Sequence, residues 1–219
     1  MTELEKVAVV GGTGKLGAAL ARRWAKAGLD VIIGSRSAAS GRAKAAELGF
    51  GLSGAANVDA AAEADIVVVT VPFDAQERTL AEIAPHVRGK LVVDTTVPLV
   101  PPKVMRVQLP VEGSAAARAQ ALLGEGVTLT SGFHSVAAHK LATDEQVECD
   151  VLVFGDDKTA RSRVVDLAGH AGLRGLHGGA LVNSAAAEAL TSVLIFMNRT
   201  YSVDGAGLRI TGKLVEPQD

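Results

Sequence analysis

The sequence predicts an α/β fold, with a doubly wound parallel sheet followed by a small C-terminal α/β part. Short aliphatic runs alternate with helix-like segments from the start of the chain, as expected for a layered α/β domain. Hydrophobic residues make up 48% of the 219 residues but aromatic residues only 3%, so Ala, Val, Leu and Ile must form the core. Aliphatic runs of this kind are typical of parallel strands that helices cover on both faces. A glycine-rich turn also joins the first run to the first helix-like segment.

The first half of the chain reads as strand and helix in strict alternation. Apolar runs predict strands over residues 7–10, 31–33, 66–71 and 91–93. Apolar positions four residues apart and terminal glycines predict helices over 15–27, 40–48, 58–64 and 75–87. This β-α-β succession favours a parallel sheet.

A cluster of prolines separates the two halves. Pro98, Pro101, Pro102 and Pro110 cannot belong to a regular helix or a central strand, so residues 98–110 are predicted to form a long loop. After this loop we predict helices over 115–123 and 185–198, with strands over 127–130, 151–154 and 173–176.

Composition and charge exclude several classes of function. Twenty-two basic against 24 acidic residues give a net charge of −2 without a long basic run, which argues against a nucleic-acid partner. The apolar stretches near 66–73 and 193–197 are shorter than the ~20 residues of a membrane helix, so no membrane partner is expected. The single cysteine, Cys149, cannot form an internal disulfide and suits a reducing cytoplasm.

The glycine-rich turn has the spacing of a dinucleotide-binding site. Residues 12–17 read Gly-Thr-Gly-Lys-Leu-Gly, between the first strand and the first helix. Gly12 permits the tight turn, Gly14 lets a pyrophosphate approach the backbone, and Gly17 allows the helix to pack on the strand. Because the free N–H groups of a helix N-terminus favour an anion, we predict a Rossmann-type site. Its predicted residues are Gly12, Thr13, Gly14, Lys15, Leu16 and Gly17.

The end of the second strand indicates which dinucleotide binds. NAD sites usually place an acidic residue there to hold the ribose hydroxyls, but this chain has Ser35 and Arg36. A guanidinium suits a 2′-phosphate, and Arg42 lies close enough in sequence to add charge. The sequence therefore predicts NADP(H), the alternative being that Arg36 is a solvated surface residue.

The usual acid–base machinery of dehydrogenases is missing. Tyr201 is the only tyrosine and is followed four residues later by Gly205, so there is no Tyr-x-x-x-Lys pair. A Gly-x-x-Lys-x-x-x-Asn pattern is also absent. His134 and His139 are five residues apart, which is not the spacing of two metal ligands on one helix face, and no metal is predicted. Transfer between two organic rings needs alignment more than a proton donor, so the substrate is expected to be a second redox cofactor.

Several ordered motifs resemble the NADPH-dependent reductases of coenzyme F420, a 5-deazaflavin. Besides the glycine turn and Gly34-Ser35-Arg36, they lie at 70–73, 97–99, 112–116, 133–137, 150–157, 183, 188–191 and 206–212. The resemblance implies a Rossmann domain over 1–140 and a small α/β domain over 141–219 that closes the cleft and dimerises. It also implies direct hydride transfer between the nicotinamide and the deazaflavin, with no catalytic acid or base.

The same resemblance assigns residues to the two rings. Positions flanking the nicotinamide and its ribose are matched by Val71, Pro72, Phe73, Val97 and Pro98. The resemblance places Ala138 at the ring-stacking site, and we assign it to the cofactor-binding residues as well. The F420 site is matched by His134, Val136, Ala137 and Thr191.

Two departures keep alternatives open. Ala185 stands where relatives often carry an arginine, and Ser40 stands where a basic residue is frequent. The alternatives are an NADPH-dependent reductase of another ring acceptor, a flavin or pterin, or a non-catalytic NADPH-sensing module. His134 could also be a buried histidine of a domain junction.

Overall fold

The computed structural model describes residues 5–215, which form one eight-stranded sheet in the order β3-β2-β1-β4-β5-β6-β7-β8. The strands are β1 (Val7–Val10), β2 (Val31–Ser35), β3 (Ser53–Ala56), β4 (Ile66–Val69), β5 (Leu91–Asp94), β6 (Thr128–Ser131), β7 (Asp150–Gly155) and β8 (Arg174–Gly179). The helices are α1 (Lys15–Lys26), α2 (Ala38–Leu48), α3 (Asn57–Glu63), α4 (Phe73–Ile83), α5 (Ala115–Leu123), α6 (Ala138–Leu141), α7 (Lys158–His170) and α8 (Ser184–Tyr201).

The predicted doubly wound sheet is confirmed for its first six strands. All neighbours from β3 to β6 are parallel, and β1 lies between β2 and β4, with Val7 in register with both Val31 and Ile66. The chain leaves β1 in one direction and later returns to its other side, which creates a crevice at the carboxyl end of β1. Ligands of open α/β sheets bind in this crevice.

Beyond β6 the sheet continues with a change of direction. β7 pairs antiparallel with β6, and β8 pairs parallel with β7. The carboxyl ends of β7 and β8 therefore lie at the edge opposite to the crevice. This reversal was not predicted, because the apolar run of β7 looks the same in either direction.

The core has two layers, one on each face of the sheet. Val7 and Val9 of β1 pack in the same apolar cluster as Leu20 and Trp24 of α1, whereas Ala8 belongs to the cluster of the opposite face. This alternation follows from the two-residue period of a strand. Because both faces are covered, the strand is apolar at every position, as the sequence suggested.

Two groups of hydrogen bonds hold the last third of the chain in place, one to α1 and one within that third. Arg23 of α1 donates hydrogen bonds of 2.7–2.9 Å to the carbonyls of Leu141, Thr143, Glu145 and Ala171. The carboxylate of Asp150 in β7 accepts two bonds, of 2.7 and 2.6 Å, from the Arg174 guanidinium and one of 2.6 Å from the Ile210 backbone N–H. The second group fastens the segment after α8 along β7.

Most elements lie within a few residues of their predicted bounds, but three, β3, α6 and the 13-residue α7, were not predicted. β3 is a short strand of Ser, Gly and Ala, whose composition carries no strand signal. α6 is a single turn of four residues. The predicted strand over 66–71 ends at Val69, and residues 70–72 leave the sheet to line the crevice. The predicted loop over 98–110 contains no helix or strand.

The segment Leu181–Tyr201, which includes α8, is long and apolar enough to span a membrane by length and composition, with a mean hydropathy of 1.3. A third of it is buried in the protein, where Glu188 makes hydrogen bonds to α5. A core helix of a soluble protein passes the same test, so this helix is weak evidence for a membrane.

Candidate functional site

The turn between β1 and α1 leaves the helix N-terminus open. Gly11 has φ +74°, a conformation that favours glycine, and Gly14 precedes α1 with extended backbone. The first turn of α1 contains no acidic side chain, so no carboxylate competes for its free N–H groups. These groups and the helix dipole together favour an anion at this position.

Glycine is required in this turn because the backbone segments approach closely. A Cβ on Gly12 would lie 2.6 Å from the carbonyl oxygen of Val9. A Cβ on Gly17 would lie 2.8 Å from the Cα of Gly12 and would also overlap the hydroxyl of Thr70. The roles predicted for Gly12 and Gly17, a tight turn and close helix packing, agree with these contacts.

Asn57 supports the turn from α3 and was not predicted. Its Oδ1 accepts a hydrogen bond of 3.1 Å from the backbone N–H of Gly11, and its side chain is buried. The only sequence signal is a polar residue that follows a weak strand within a βαβ unit. Its partner lies 46 residues earlier, so the contact requires the fold.

A crevice of about 390 Å³ opens in front of the turn. Of the predicted residues it is lined by Thr13, Gly14, Ser35, Arg36, Val71 and Pro72. Residues that sequence reasoning missed also line it: Gly11, Asn57, Thr70, Asp74, Ala75, Arg78 and Thr79. Gly12, Lys15, Leu16, Gly17, Arg42 and Phe73 are not among the lining residues, and Arg42 is exposed on α2.

The end of β2 carries a hydroxyl and a guanidinium, the kinds of side chain expected to bind a phosphate. Ser35 is the last residue of the strand and is buried, whereas Arg36 beside it is exposed. Ser37 caps α2 by accepting a hydrogen bond from the N–H of Ser40 at 3.2 Å, and its hydroxyl lies 2.9 Å from that of Ser40. Ser40 is thus part of a helix cap in this chain.

The loop after β4 forms the opposite side of the crevice, and the loop after β5 leaves the same edge of the sheet. Val71 and Pro72 follow β4, and Phe73 begins α4, where the Arg118 guanidinium lies 4.9 Å from the centre of its ring. Val97 is half-buried and Pro98 is buried after β5. Because β4 and β5 are parallel neighbours, both loops leave the same edge of the sheet.

His134 follows β6, at the same edge. It is preceded by Phe133, whose backbone has φ +63°, a strained conformation for a residue with a bulky side chain. The Phe133 ring is 2% exposed and packs edge to face on Trp24, with ring centroids 6.0 Å apart. This packing holds the backbone of Phe133 in place and thereby positions the next residue, His134.

The His134 side chain is neutral. Burial lowers its pKa to about 4, and its Nε2 lies 2.7 Å from the Oγ of Ser131. Thr191 of α8 donates a hydrogen bond of 3.0 Å to the His134 carbonyl, so the two predicted acceptor residues are in contact. Val136 and Ala137 are half-buried in the segment after it, and Ala138 begins α6.

Two buried carboxyl groups lie beneath this edge. Asp94, at the end of β5, accepts hydrogen bonds from Gln76 Nε2 at 2.6 Å and from the Thr96 hydroxyl at 2.6 Å. Burial raises its pKa to about 6. Glu188 of α8 accepts bonds from the N–H groups of Ala115 and Ala116, and burial raises its pKa to about 7. Neither carboxyl was identified as a site residue from the sequence, although Glu188 lies within the motif at 188–191.

Comparison with known proteins identifies the family of this chain. The family model "NADP oxidoreductase coenzyme F420-dependent" matches residues 6–98. The F420-dependent NADP reductase of Methanothermobacter thermautotrophicus is 41% identical over 94% of both chains. The enzyme of that name from Methanocaldococcus jannaschii is 37% identical over 94% of this chain and 98% of its own.

Among solved structures, one from Arthrobacter sp. FB24 has the same fold. It superimposes with a TM-score of 0.80 at 23% identity, and the match covers 95% of this chain and all of the other. With two relatives above 35% identity over nearly their full length, the chain belongs to the family of F420-dependent NADP reductases.

Proposed function

We propose that this protein transfers a hydride directly between NADP(H) and coenzyme F420. The observation that carries the proposal is that the anion-binding turn and the neutral His134 follow strands of one parallel set, β1 and β6, and so open on one edge of the sheet. Membership of the family and the absence of an acidic residue after β2 support this assignment.

The residues at the turn fit a dinucleotide phosphate. The open N-terminus of α1 and the glycines that no side chain can replace would hold the pyrophosphate, together with Thr13, Lys15 and Leu16. Ser35 and Arg36 would hold the 2′-phosphate, with Arg42 as an outer contributor of charge. When it is bound, NADPH supplies the hydride.

The chain's own contribution at the reacting edge is alignment and exclusion of water. Val71, Pro72, Phe73, Val97, Pro98 and Ala138 would flank the nicotinamide and its ribose, and His134, Val136, Ala137 and Thr191 would line the deazaflavin. Most of these side chains are apolar, and His134 stays neutral at physiological pH. Such a surface favours contact between two rings without supplying an acid or base.

The proposal is tested by mixing the protein with NADPH and oxidised F420 and following the loss of deazaflavin absorbance. Fast bleaching with NADPH and much slower bleaching with NADH would support both the acceptor and the assignment of Ser35 and Arg36. Tight NADPH binding without bleaching would overturn the acceptor while leaving the dinucleotide site in place.

A second candidate is a reductase of another ring, a flavin or pterin. Ala185 favours it, because the family resemblance implies an arginine at this half-buried position at the start of α8, and this chain has alanine there. NADPH oxidation with a flavin or pterin but not with F420 would select this candidate. NADPH binding without turnover of any acceptor would select a sensing module.

We also propose that the protein is a homodimer assembled through α8. Val193, Phe196 and Met197 are exposed, and their three- and four-residue spacing places them on one helix face. An apolar face of this kind favours burial against a second copy. Sedimentation of Phe196→Glu should show monomer where the unmodified protein shows dimer.

The division into parts at residue 140 and a cytoplasmic location are retained as proposals. The change of strand direction between β6 and β7 supports a boundary near residue 140, although the sheet is continuous across it. The buried, unpaired Cys149 is compatible with a reducing compartment. Limited proteolysis and cell fractionation test these two proposals.

A further inference from the structure

A chain of hydrogen bonds connects His134 with Glu188. His134 Nε2 lies 2.7 Å from Ser131 Oγ, Ser131 Oγ lies 2.9 Å from Ser184 Oγ, and Ser184 Oγ lies 2.8 Å from Glu188 Oε1. Ser131 ends β6, while Ser184 and Glu188 are one turn apart on α8. The chain therefore crosses from the sheet to the last helix.

All four side chains are withdrawn from solvent. Ser184 is 0% exposed, Ser131 and Glu188 are 1% exposed, and His134 is 8% exposed. Buried polar groups of this kind are costly unless each is bonded, so the three hydrogen bonds that link the four side chains must be mutually consistent. Their directions can then be worked out from one end.

Glu188 determines the direction of every bond in the chain. An ionised carboxylate only accepts hydrogen bonds, and this one already accepts from the N–H groups of Ala115 at 2.6 Å and Ala116 at 3.1 Å. The Ser184 hydroxyl must therefore donate its single hydrogen to Glu188. Ser184 can then only accept from Ser131.

The same argument reaches the imidazole. The Ser131 hydroxyl donates its only hydrogen to Ser184, so towards His134 its oxygen can only accept. His134 must therefore donate to Ser131 from Nε2. A neutral histidine carries one N–H, so its Nδ1 is left as an acceptor. No hydrogen bond to Nδ1 is present within residues 5–215.

We propose that Glu188 is a positioning residue that, through Ser184 and Ser131, holds His134 in the Nε2–H tautomer and so offers the Nδ1 lone pair to an N–H or O–H group of the ring acceptor. The acceptor part of this inference rests on the proposed function, whereas the tautomer does not. Glu188 itself is 1% exposed, so it acts through Ser184 and Ser131.

The protonation state of Glu188 determines the direction of these hydrogen bonds and therefore the tautomer of His134. Desolvation raises the pKa of Glu188 to about 7, and the nearby carboxylate of Asp94 on β5 acts in the same direction. The hydrogen bonds from α5 and Ser184 oppose the shift. A protonated Glu188 can donate to Ser184, which reverses the chain and moves the imidazole proton to Nδ1. His134 does not titrate in this range, because its own pKa is about 4.

The tautomer is measured by long-range proton–nitrogen NMR on protein labelled with ¹⁵N-histidine, without any ligand. At pH 8 the unmodified protein should show the Nε2–H form of His134, with the Nδ1–H form growing as the pH falls through 7. Ser184→Ala, which leaves Glu188 bonded to α5, should give both tautomers at pH 8. In Glu188→Gln, whose amide does not titrate, the ratio should be constant between pH 6 and pH 8.

Ser192→Ala is the matched control, since Ser192 is buried on α8 but its hydroxyl bonds to the Arg106 carbonyl at 3.3 Å, outside the chain. It should leave the His134 tautomer unchanged. A single Nε2–H form in Ser184→Ala at pH 8, or a predominant Nδ1–H form in the unmodified protein at pH 8, would overturn the proposal.

Kinetics test the acceptor part separately. Ser184→Ala should raise the KM for F420 by about 5- to 10-fold, the equivalent of one hydrogen bond, while the KM for NADPH stays within about 2-fold. An unchanged KM for F420 would overturn the positioning role. If F420 is not turned over by the unmodified protein, the proposed function fails, and the NMR result still decides the tautomer.

Discussion

The hydroxyl of Thr70 occupies the space that a Cβ on Gly17 would need. That hydroxyl donates a hydrogen bond of 2.9 Å to the carbonyl of Val10, so it is fixed from the side of β1. The ends of β1 and β4 and the start of α1 therefore determine one another, and the shape of the phosphate-binding turn is set by three elements at once.

Gly17→Ala should weaken NADPH binding by at least about 10-fold, because the added methyl group pushes α1 away from Thr70 and from the Cα of Gly12. Isothermal titration calorimetry measures the effect. Gly169→Ala is the matched control, since Gly169 lies in α7 with nothing within 4 Å of the added Cβ. It should bind NADPH normally and be more stable by about 0.5–1 kcal/mol.

Arg36→Ala should reduce affinity for NADPH by about 10- to 100-fold and leave NADH binding nearly unchanged, because Arg36 lines the crevice where a 2′-phosphate would lie. Arg42→Ala should change both affinities by less than about 3-fold, because Arg42 is exposed and outside the crevice lining. Equal losses in the two variants would show that Arg42 contributes to the phosphate site as much as Arg36 does. Fluorescence titration with both dinucleotides makes the comparison.

Asp94→Asn should change how stability depends on pH. The pKa of Asp94 is raised from 3.8 to about 6 by burial, so the folded state holds this proton more tightly than the unfolded state. Its contribution to stability is therefore full at low pH and is lost as the pH rises from about 4 through 6. The free energy of unfolding of the unmodified protein, relative to Asp94→Asn, should fall across this range by on the order of 2 kcal/mol.

Urea denaturation at several pH values measures this difference. His134, whose pKa is lowered from 6.5 to about 4, adds the opposite dependence, because its stabilisation is lost as the pH falls through that window. That contribution is common to both proteins and cancels in the comparison. Asp59→Asn, an exposed residue of α3, is the control and should give parallel curves. A difference between the unmodified protein and Asp94→Asn that does not vary with pH would contradict the assignment.

Arg23→Ala should lower the free energy of unfolding by about 2–4 kcal/mol, because it leaves several carbonyls beside α1 without donors. Arg23→Lys should restore only a part of this stability, since a single ammonium group cannot reach all the carbonyl oxygens that the guanidinium bonds. Chemical denaturation provides the values. The neighbouring Arg22→Ala removes a surface ion pair with Asp144 at 2.8 Å and should cost less than about 1 kcal/mol.

The parts of the fold that the sequence predicts are those encoded over short distances. The glycine turn and β1 form one continuous signal, and the strand bounds there agree with the structure. β3 was missed because Gly54 and the alanines around it have no strand preference. In the structure, Gly54 lies so close to Gly41 of α2 that no side chain would fit between them.

The missed site residues share a different cause. Asn57 and Arg78 reach the crevice from α3 and α4, and neither belongs to a recognisable motif. Ser131 and Ser184 are 53 residues apart, so their contact becomes visible only when β6 and α8 are placed side by side. Sequence patterns report what a residue is, whereas these roles depend on what lies beside it.

The edge-to-face contact between Trp24 and Phe133 has an experimental consequence. Trp24 is the only tryptophan in the chain, and its indole N–H also donates to the Leu167 carbonyl at 2.7 Å. A single buried indole thus touches α1, the residue before His134 and α7 at the same time. The intrinsic fluorescence of the unlabelled protein comes largely from this one position, so its emission reports on the junction between the dinucleotide crevice and the C-terminal part.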